Sequence, residues 1–131
     1  MKETAVFTWL QSHRHPNLIT VHSLVKAVSP RTNRPVLELT TDFYPMNLIQ
    51  FSAQSHLDES RARIKRKIIL FQVVKGLHYL HSHGVFHRDL CPSSVLVGDK
   101  LEVVLTHFSA AQGRGIPDSN EYTCSRLARP P

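Results

Sequence analysis

From Ser60 to Ser82 the chain runs without a proline, and its apolar residues recur with the period of a helix. Ile64, Ile68, Ile69, Phe71, Val73, Leu77 and Leu80 cover two adjoining faces. Lys65, Gln72, Lys75 and Ser82 leave a narrow polar stripe. That pattern predicts a helix buried over most of its surface. A chain organised around such a helix has to pack other apolar elements on both sides of it. Gly84 is placed to end it.

The remaining elements are short. Residues 3–12 read as a helix with Val6, Trp9 and Leu10 on its apolar side. "HRHPN" at 13–17 stops it, because Pro16 disfavours a helical residue before it. "LITVHSLVKAV" at 18–28 is rich in branched residues and predicts one or two strands. "SPRTNRP" at 29–35 is a turn by composition, and the alternating "VLELTTDF" at 36–43 predicts another strand, ended by Pro45. A short helix is expected between Leu48 and Ala53. "VLV" at 95–97, the turn "GDK" and "LEVVLTHF" at 101–108 predict a hairpin. Gly113 to Pro131 reads as a loop. The fold class is α+β. The first segment begins inside a helix and the last ends on "RPP", so both ends read as cut.

Composition narrows what this fold can serve. The 131 residues make one domain, and 41% hydrophobic with 20% charged residues is the balance of an ordinary globular protein. No apolar run approaches the roughly 18 residues of a membrane span, and the N-terminus has no secretory pattern. The two cysteines, Cys91 and Cys124, do not indicate a disulfide framework, which points to a reducing compartment. The formal charge is +6, and the densest basic run is "RARIKRK" at 61–67. Without aromatic or Gly interleaving it reads as the solvated start of a helix, so neither nucleic acid nor membrane is expected as a partner. His78, His81, His83 and His87 match no common zinc spacing and read as helix surface and packing.

"VFHRDLCPSSVLV" at 85–97 carries the chemistry. His-Arg-Asp at 87–89, followed by an apolar residue and a strand, resembles the catalytic loop of the eukaryotic protein kinases. The resemblance runs along nearly the whole chain in order. "HRHPNLITVHSLV" at 13–25 resembles the turn after the regulatory helix. "LELTTDFYPMNLI" at 37–49 resembles the strand and hinge that hold the adenine. "GLHYLHSHGVFHRDL" at 76–90 resembles the long helix entering the loop. "HFSAA" at 107–111 stands thirteen residues after Ser94, where the family has Asp-Phe-Gly, and "EYTCSRLARPP" at 121–131 resembles the end of the activation segment. "PMNL" and the closing segment most resemble the branch of cyclin-dependent, mitogen-activated and MAK/MOK-type Ser/Thr kinases.

The resemblance implies a partial protein-kinase-like fold over residues 1–131, from the regulatory helix to the end of the activation segment. It implies ATP and magnesium as cofactors, an intracellular place in cytoplasm or nucleus, and protein partners such as a kinase, a substrate or a scaffold. Asp89 matches the catalytic base, and Arg88 the Arg that pairs with a phosphorylated activation loop. Thr41, Asp42 and Tyr44 fall in the hinge, and Leu96 matches a residue beneath the adenine. Glu3 matches the partner of a strand Lys that this chain does not contain, and the Gly-rich loop has no counterpart either. His87, Phe108 and Phe7 match the internal hydrophobic spine. Ser119 and Tyr122 stand in the region of the activation phosphosites.

Four positions depart from the family. Cys91 stands where a Lys steadies the transferring phosphate, and a neutral thiol cannot supply that charge. Ser94 replaces the magnesium-binding Asn, and His107 the magnesium-binding Asp, although magnesium takes hard oxygen ligands. Ser109 replaces the Gly of the Asp-Phe-Gly motif. Losing one preorganised stabiliser costs about 3–4 kcal/mol of barrier, or about 10²–10³ in rate. The favoured expectation is a pseudokinase acting by protein binding. The alternatives are a Ser/Thr kinase with Asp89 as base, and an incomplete product that leaves apolar faces of helix 60–82 bare. Cys91 itself is read as an inert small residue, with a reactive thiol as the alternative.

Overall fold

The computed structural model describes residues 2–54 and 58–113, with the backbone alone at residues 2 and 3. The element order is helix α1 (Lys2–Ser12), strands β1 (Val21–Val28), β2 (Pro35–Thr41) and β3 (Met46–Asn47), helices α2 (Leu48–Gln54) and α3 (Glu59–Ser82), then strands β4 (Val85–Phe86), β5 (Val95–Val97), β6 (Val103–Leu105) and β7 (Gln112–Gly113). Short 3₁₀ turns at Pro92–Ser94 and Phe108–Ala110 flank the β5–β6 hairpin.

Helix α3 is the axis. Asp58 caps it, its carboxylate accepting from the Arg61 N–H at 3.0 Å. Gly84, at φ +69°, follows its last turn in the left-handed region that glycine enters without strain. The predicted boundaries are right; the predicted burial is not. Only Ile69, Val73, Gly76 and Leu80 are buried, one stripe at helical spacing. Ile64, Ile68, Leu70, Phe71 and Val74 are exposed, Phe71 by 66%. The second apolar face meets no cover among the described residues. Periodicity reports which residues could be buried, not whether a neighbouring layer is present to bury them.

Gln72 corrects the sequence reading in the other direction. Placed on the polar stripe, it is half-buried and ties α3 to the rest of the chain. Its side-chain carbonyl accepts from Asn17 Nδ2 at 3.2 Å and from the Val103 N–H at 3.0 Å, and its Nε2 donates to the Leu101 carbonyl at 2.7 Å. Asn17 Nδ2 also donates to the Val103 carbonyl at 2.9 Å. One turn on, α3 approaches this seam so closely that a Cβ on Gly76 would stand 2.9 Å from the Asn17 carbonyl and 3.1 Å from Leu105.

The core lies between α1, the buried stripe of α3 and the β5–β6 hairpin. Val6 and Leu10 of α1, Ile69 and Leu80 of α3, all three residues of β6 and Phe108 are buried together. β5 is central in an antiparallel β3–β5–β6 sheet, with Asn47 opposite Leu96 and Leu96 opposite Val104. Leu18 bridges to Leu105, which anchors the entry to β1. β1 and β2 form a separate antiparallel hairpin with a register shift at Val21/Ser23. Val21 at its base is buried in the core beside α1, while Val25, Val28, Val36 and Leu39 are exposed. β4 pairs with β7, which places Gly113 in a strand instead of the expected loop; the rest of that loop lies outside the described residues.

Candidate functional site

The segment after α3 makes a tight path. β4 delivers His87 to the interior and Arg88 in the left-handed region at φ 65°. Leu90 and Cys91 follow, then the turn Pro92–Ser94 leads into β5. The turn is closed by Ser94. Its hydroxyl is fully buried, accepts from the Cys91 N–H at 3.0 Å and donates to the Cys91 carbonyl at 2.9 Å. Pro92 at the first position has the fixed φ such a turn needs.

Thr106 joins this path to the next one. Its N–H donates to the Ser94 carbonyl at 2.9 Å, and its carbonyl accepts from His87 Nε2 at 2.8 Å. His87 Nδ1 accepts from the Asp89 N–H at 3.4 Å, which leaves the proton on Nε2. Burial holds the His87 pKa below the usual histidine range, so the ring is neutral at pH 7. Its ring centroid lies 4.9 Å from that of Phe108, which is fully buried, and α1, with half-buried Phe7, packs against the Phe108–Ala110 turn. Between them His107 takes the left-handed conformation at φ 61° with an exposed side chain, and Ser109 is exposed in the turn. His is among the few non-glycine residues found there with any frequency.

Arg88 reaches across to β7, its guanidinium donating to the Gln112 side-chain carbonyl at 2.6 Å. Cys91 is half-buried, with Sγ 3.0 Å from the Ser93 hydroxyl. Hydrogen bonding to Ser93, with Ser94 adding to it, pulls its thiol below the usual range.

The hinge residues stand apart from these. Thr41, Asp42 and Phe43 are exposed, Phe43 by 88%. Asp42 accepts from His22 Nε2 at 2.7 Å, and that hydrogen bond holds its carboxyl below the ordinary carboxylate range. Tyr44 packs on the core, and burial pushes its phenol up. The chain then enters β3, whose pairing with β5 brings the hinge to half-buried Leu96. The Glu3 side chain, Ser119, Tyr122 and Cys124 lie outside the described residues.

Magnesium between phosphates needs oxygen donors turned toward it. Here the Ser94 hydroxyl is buried and bonded to Cys91 as both donor and acceptor, and the other position offers the imidazole of His107. The residues present do not fit magnesium. A concavity among the described residues lies elsewhere. It is a groove of about 690 Å³ between α2, α3 and the Leu90–Pro92 segment, and none of Thr41, Asp42, Tyr44, Asp89 or His107 lines it.

Asn17, Gln72 and Thr106 are the positioning residues that sequence reading missed. A half-polar residue on an otherwise apolar helix and an Asn ending a helix–turn were the signals available. The partners that tie them to other elements lie 12 to 86 residues away in sequence and leave no local trace.

The family model of the protein kinase domain matches residues 1–126. Mitogen-activated protein kinase HOG1 of Candida albicans is 34% identical over 93% of this chain, and cyclin-dependent kinase 14 of Xenopus tropicalis 27% identical over 93%. Serine/threonine-protein kinase PLK4 of Nematostella vectensis is 30% identical over 82%. The chain spans 30%, 27% and 12% of the length of these three relatives, respectively. Among solved structures, a chain of the yeast RNA polymerase II CTD kinase complex CTDK-1 superposes with a TM-score of 0.66 at 21% identity, covering 86% of this chain and 34% of that one. That likeness is one of fold, and it agrees with a partial kinase-like α+β architecture. The His-Arg-Asp loop, the long helix before it and the hinge ahead of both thus have a common origin: this chain belongs to the protein kinase domain family.

Proposed function

We propose that residues 1–126, matched by the kinase family, and the few that follow form a kinase-domain segment reaching from the regulatory helix to the end of the activation segment. It works by binding protein and not by phosphoryl transfer. One observation carries this reading. The Ser94 hydroxyl, at a magnesium-ligand position of the family, is buried and closes the Cys91–Ser94 turn. Turning it outward would leave the Cys91 N–H without its acceptor, a cost of about 1–3 kcal/mol before any metal is bound. His107 and Cys91 weaken the same site further, since neither supplies the charge that its family counterpart does.

What the loop retains is its shape. Asp89 keeps its place through the His87 hydrogen bond, and Arg88 is held by Gln112. A phosphate on Ser119 or Tyr122 would compete with Gln112 for that guanidinium. Relatives in the mitogen-activated and cyclin-dependent branches make a related kinase, its substrate or its scaffold the natural class of partner. The unpaired thiol of Cys91 suits a reducing interior, cytoplasmic or nuclear.

The test is a thermal melt with ATP, with and without magnesium. The binding-module reading expects the same midpoint in all conditions. A midpoint that rises with ATP only when magnesium is present, in a chain that phosphorylates a protein and loses this on Asp89→Asn, would establish the kinase instead.

A further inference from the structure

We infer that His13 and His83 together bind a divalent transition-metal ion of the zinc class through their Nε2 atoms. The two residues stand far apart in sequence, and the fold brings their ring centroids to 5.4 Å. Two imidazoles that share one tetrahedral ion hold their centroids about 5 Å apart, since each metal–nitrogen bond is about 2 Å. The ring planes lie 77° from each other, which is no obstacle, because a ligand ring turns freely about its bond to the metal. Both residues end a helix: His13 follows the last residue of α1, and His83 caps α3. The dipole at each of these ends favours a cation. His13 is half-buried and His83 exposed, so the pair is open to solvent.

The tautomers suit the role. His13 Nδ1 donates to the Trp9 carbonyl at 2.9 Å, and His83 Nδ1 donates to the Tyr79 carbonyl at 2.8 Å. A carbonyl only accepts, so each neutral ring keeps its proton on Nδ1 and its lone pair on Nε2. A bond from the other ring nitrogen to a backbone carbonyl is how metal-binding histidines are oriented. Neither Nε2 has a hydrogen-bond partner among the described residues. His15, close by, is the contrast. Its Nδ1 accepts from the Asn17 N–H at 3.1 Å, which puts its proton on Nε2, and its ring stacks on Tyr79 at 4.6 Å. It belongs to the turn. No third His, Cys, Asp or Glu joins the pair among the described residues, so the remaining coordination positions fall to water. Zinc and its neighbours accept imidazole nitrogen, whereas magnesium prefers oxygen. An ion held here ties the end of α1 to the end of α3.

Trp9 is the chain's single tryptophan, and its ring lies 4.2 Å from that of His13 and 5.8 Å from that of His83. Its fluorescence therefore reports this site and not the other histidines. The experiment titrates Ni²⁺, an open-shell ion that quenches indole emission, into the untagged full chain. Micromolar Ni²⁺ quenches Trp9, Zn²⁺ displaces it and restores the signal, and millimolar Mg²⁺ does neither. His83→Ala weakens the quench about tenfold or more. His13→Phe does the same; it keeps a ring on Trp9 and removes the nitrogens, which separates stacking from ligation. His78→Ala with His81→Ala, both on the exposed surface of α3, leaves the quench unchanged. Zn²⁺ also raises the denaturation midpoint of the parent and of neither site variant, as an ion bound to the folded chain must. Circular dichroism checks that each variant is folded. No quench below millimolar Ni²⁺, a quench undiminished by His13→Phe or His83→Ala, a quench lost with His78 and His81, or a midpoint that Zn²⁺ does not raise would overturn the site.

Discussion

The seam between α3 and β6 and the phosphate-handling positions of the loop lie a few residues apart and are built differently. At the seam Asn17, Gln72 and the backbone of Leu101 and Val103 satisfy one another, and Leu80, Val103 and Leu105 are fully buried. At Cys91, Ser94 and His107 the side chains either serve their own turn or face solvent. The residues that hold the loop's path have kept their work. On the proposed reading, those at the phosphate and metal positions serve other tasks. Path and chemistry in a kinase loop are thus separable, because the path depends on packing and backbone hydrogen bonds and the chemistry depends on charge.

The seam should fail first. Gln72→Ala removes four hydrogen bonds and leaves the buried Val103 N–H without an acceptor. The expected loss is about 2–4 kcal/mol, read from chemical denaturation. Gln72→Glu sharpens the comparison, because it keeps the acceptor for Val103 but loses the donor to Leu101 and Ile68 and sets a carboxylate oxygen against the Leu101 carbonyl. Its cost should fall at low pH, where the protonated acid donates again. A Gln72→Ala chain as stable as the parent would mean that the seam carries no weight. Gly76→Ala comes next. In an exposed helix that exchange gains nearly 1 kcal/mol. Here the new methyl meets the Asn17 carbonyl at 2.9 Å, and backbone cannot swing aside as a side chain can. The expectation is a loss of about 1–3 kcal/mol; a gain would show that the 13–17 turn yields freely.

How much of this was readable from the sequence follows the same division. Helix α3 was legible to within a residue because an unbroken periodic run ends at Gly84. The β5–β6 hairpin was legible from two apolar runs around "GDK". The His-Arg-Asp loop was legible because its chemistry demands particular residues at fixed spacing. The burial of α3 was not, since apolar residues on two faces look alike whether or not a second layer covers them. Nor was Ser94 as the closure of its own turn. A serine at a metal position reads as a weak ligand until its hydroxyl is seen to bond Cys91 twice.

Smaller still is the effect of pH, which acts at the joint between the two regions. The folded pKa of His87 lies below its unfolded value of about 6.5 because burial disfavours the charged ring. The unfolded chain therefore takes up its proton first as pH falls. Stability is constant above the unfolded pKa and declines as pH drops through about 6.5 toward the folded value. His15, depressed by burial and by Lys75, adds in the same direction. His87→Phe removes the titration together with the bond to Thr106, so the variant should be less stable at pH 7 but flatter between pH 7 and 5. A parent chain whose denaturation midpoint does not move in that interval would contradict the neutral buried ring.

The smallest expected effect is on the chemistry itself. His107→Asp restores the family's carboxylate at an exposed position already held in the left-handed region, which Asp also tolerates. The fold should accept it with a change within about 0.5 kcal/mol. Magnesium-ATP should still leave the melting midpoint unmoved, because one carboxylate is half of a ligand set and the Ser94 hydroxyl stays committed to Cys91. His107→Asp with Ser94→Asn is the harder test. The larger amide has no room at a site that is fully buried, so the double variant should lose stability in the Cys91–Ser94 turn before it gains a metal. If the single variant gains a magnesium-dependent rise, Ser94 is not the obstacle, and the electrostatics of this loop are one substitution from repair.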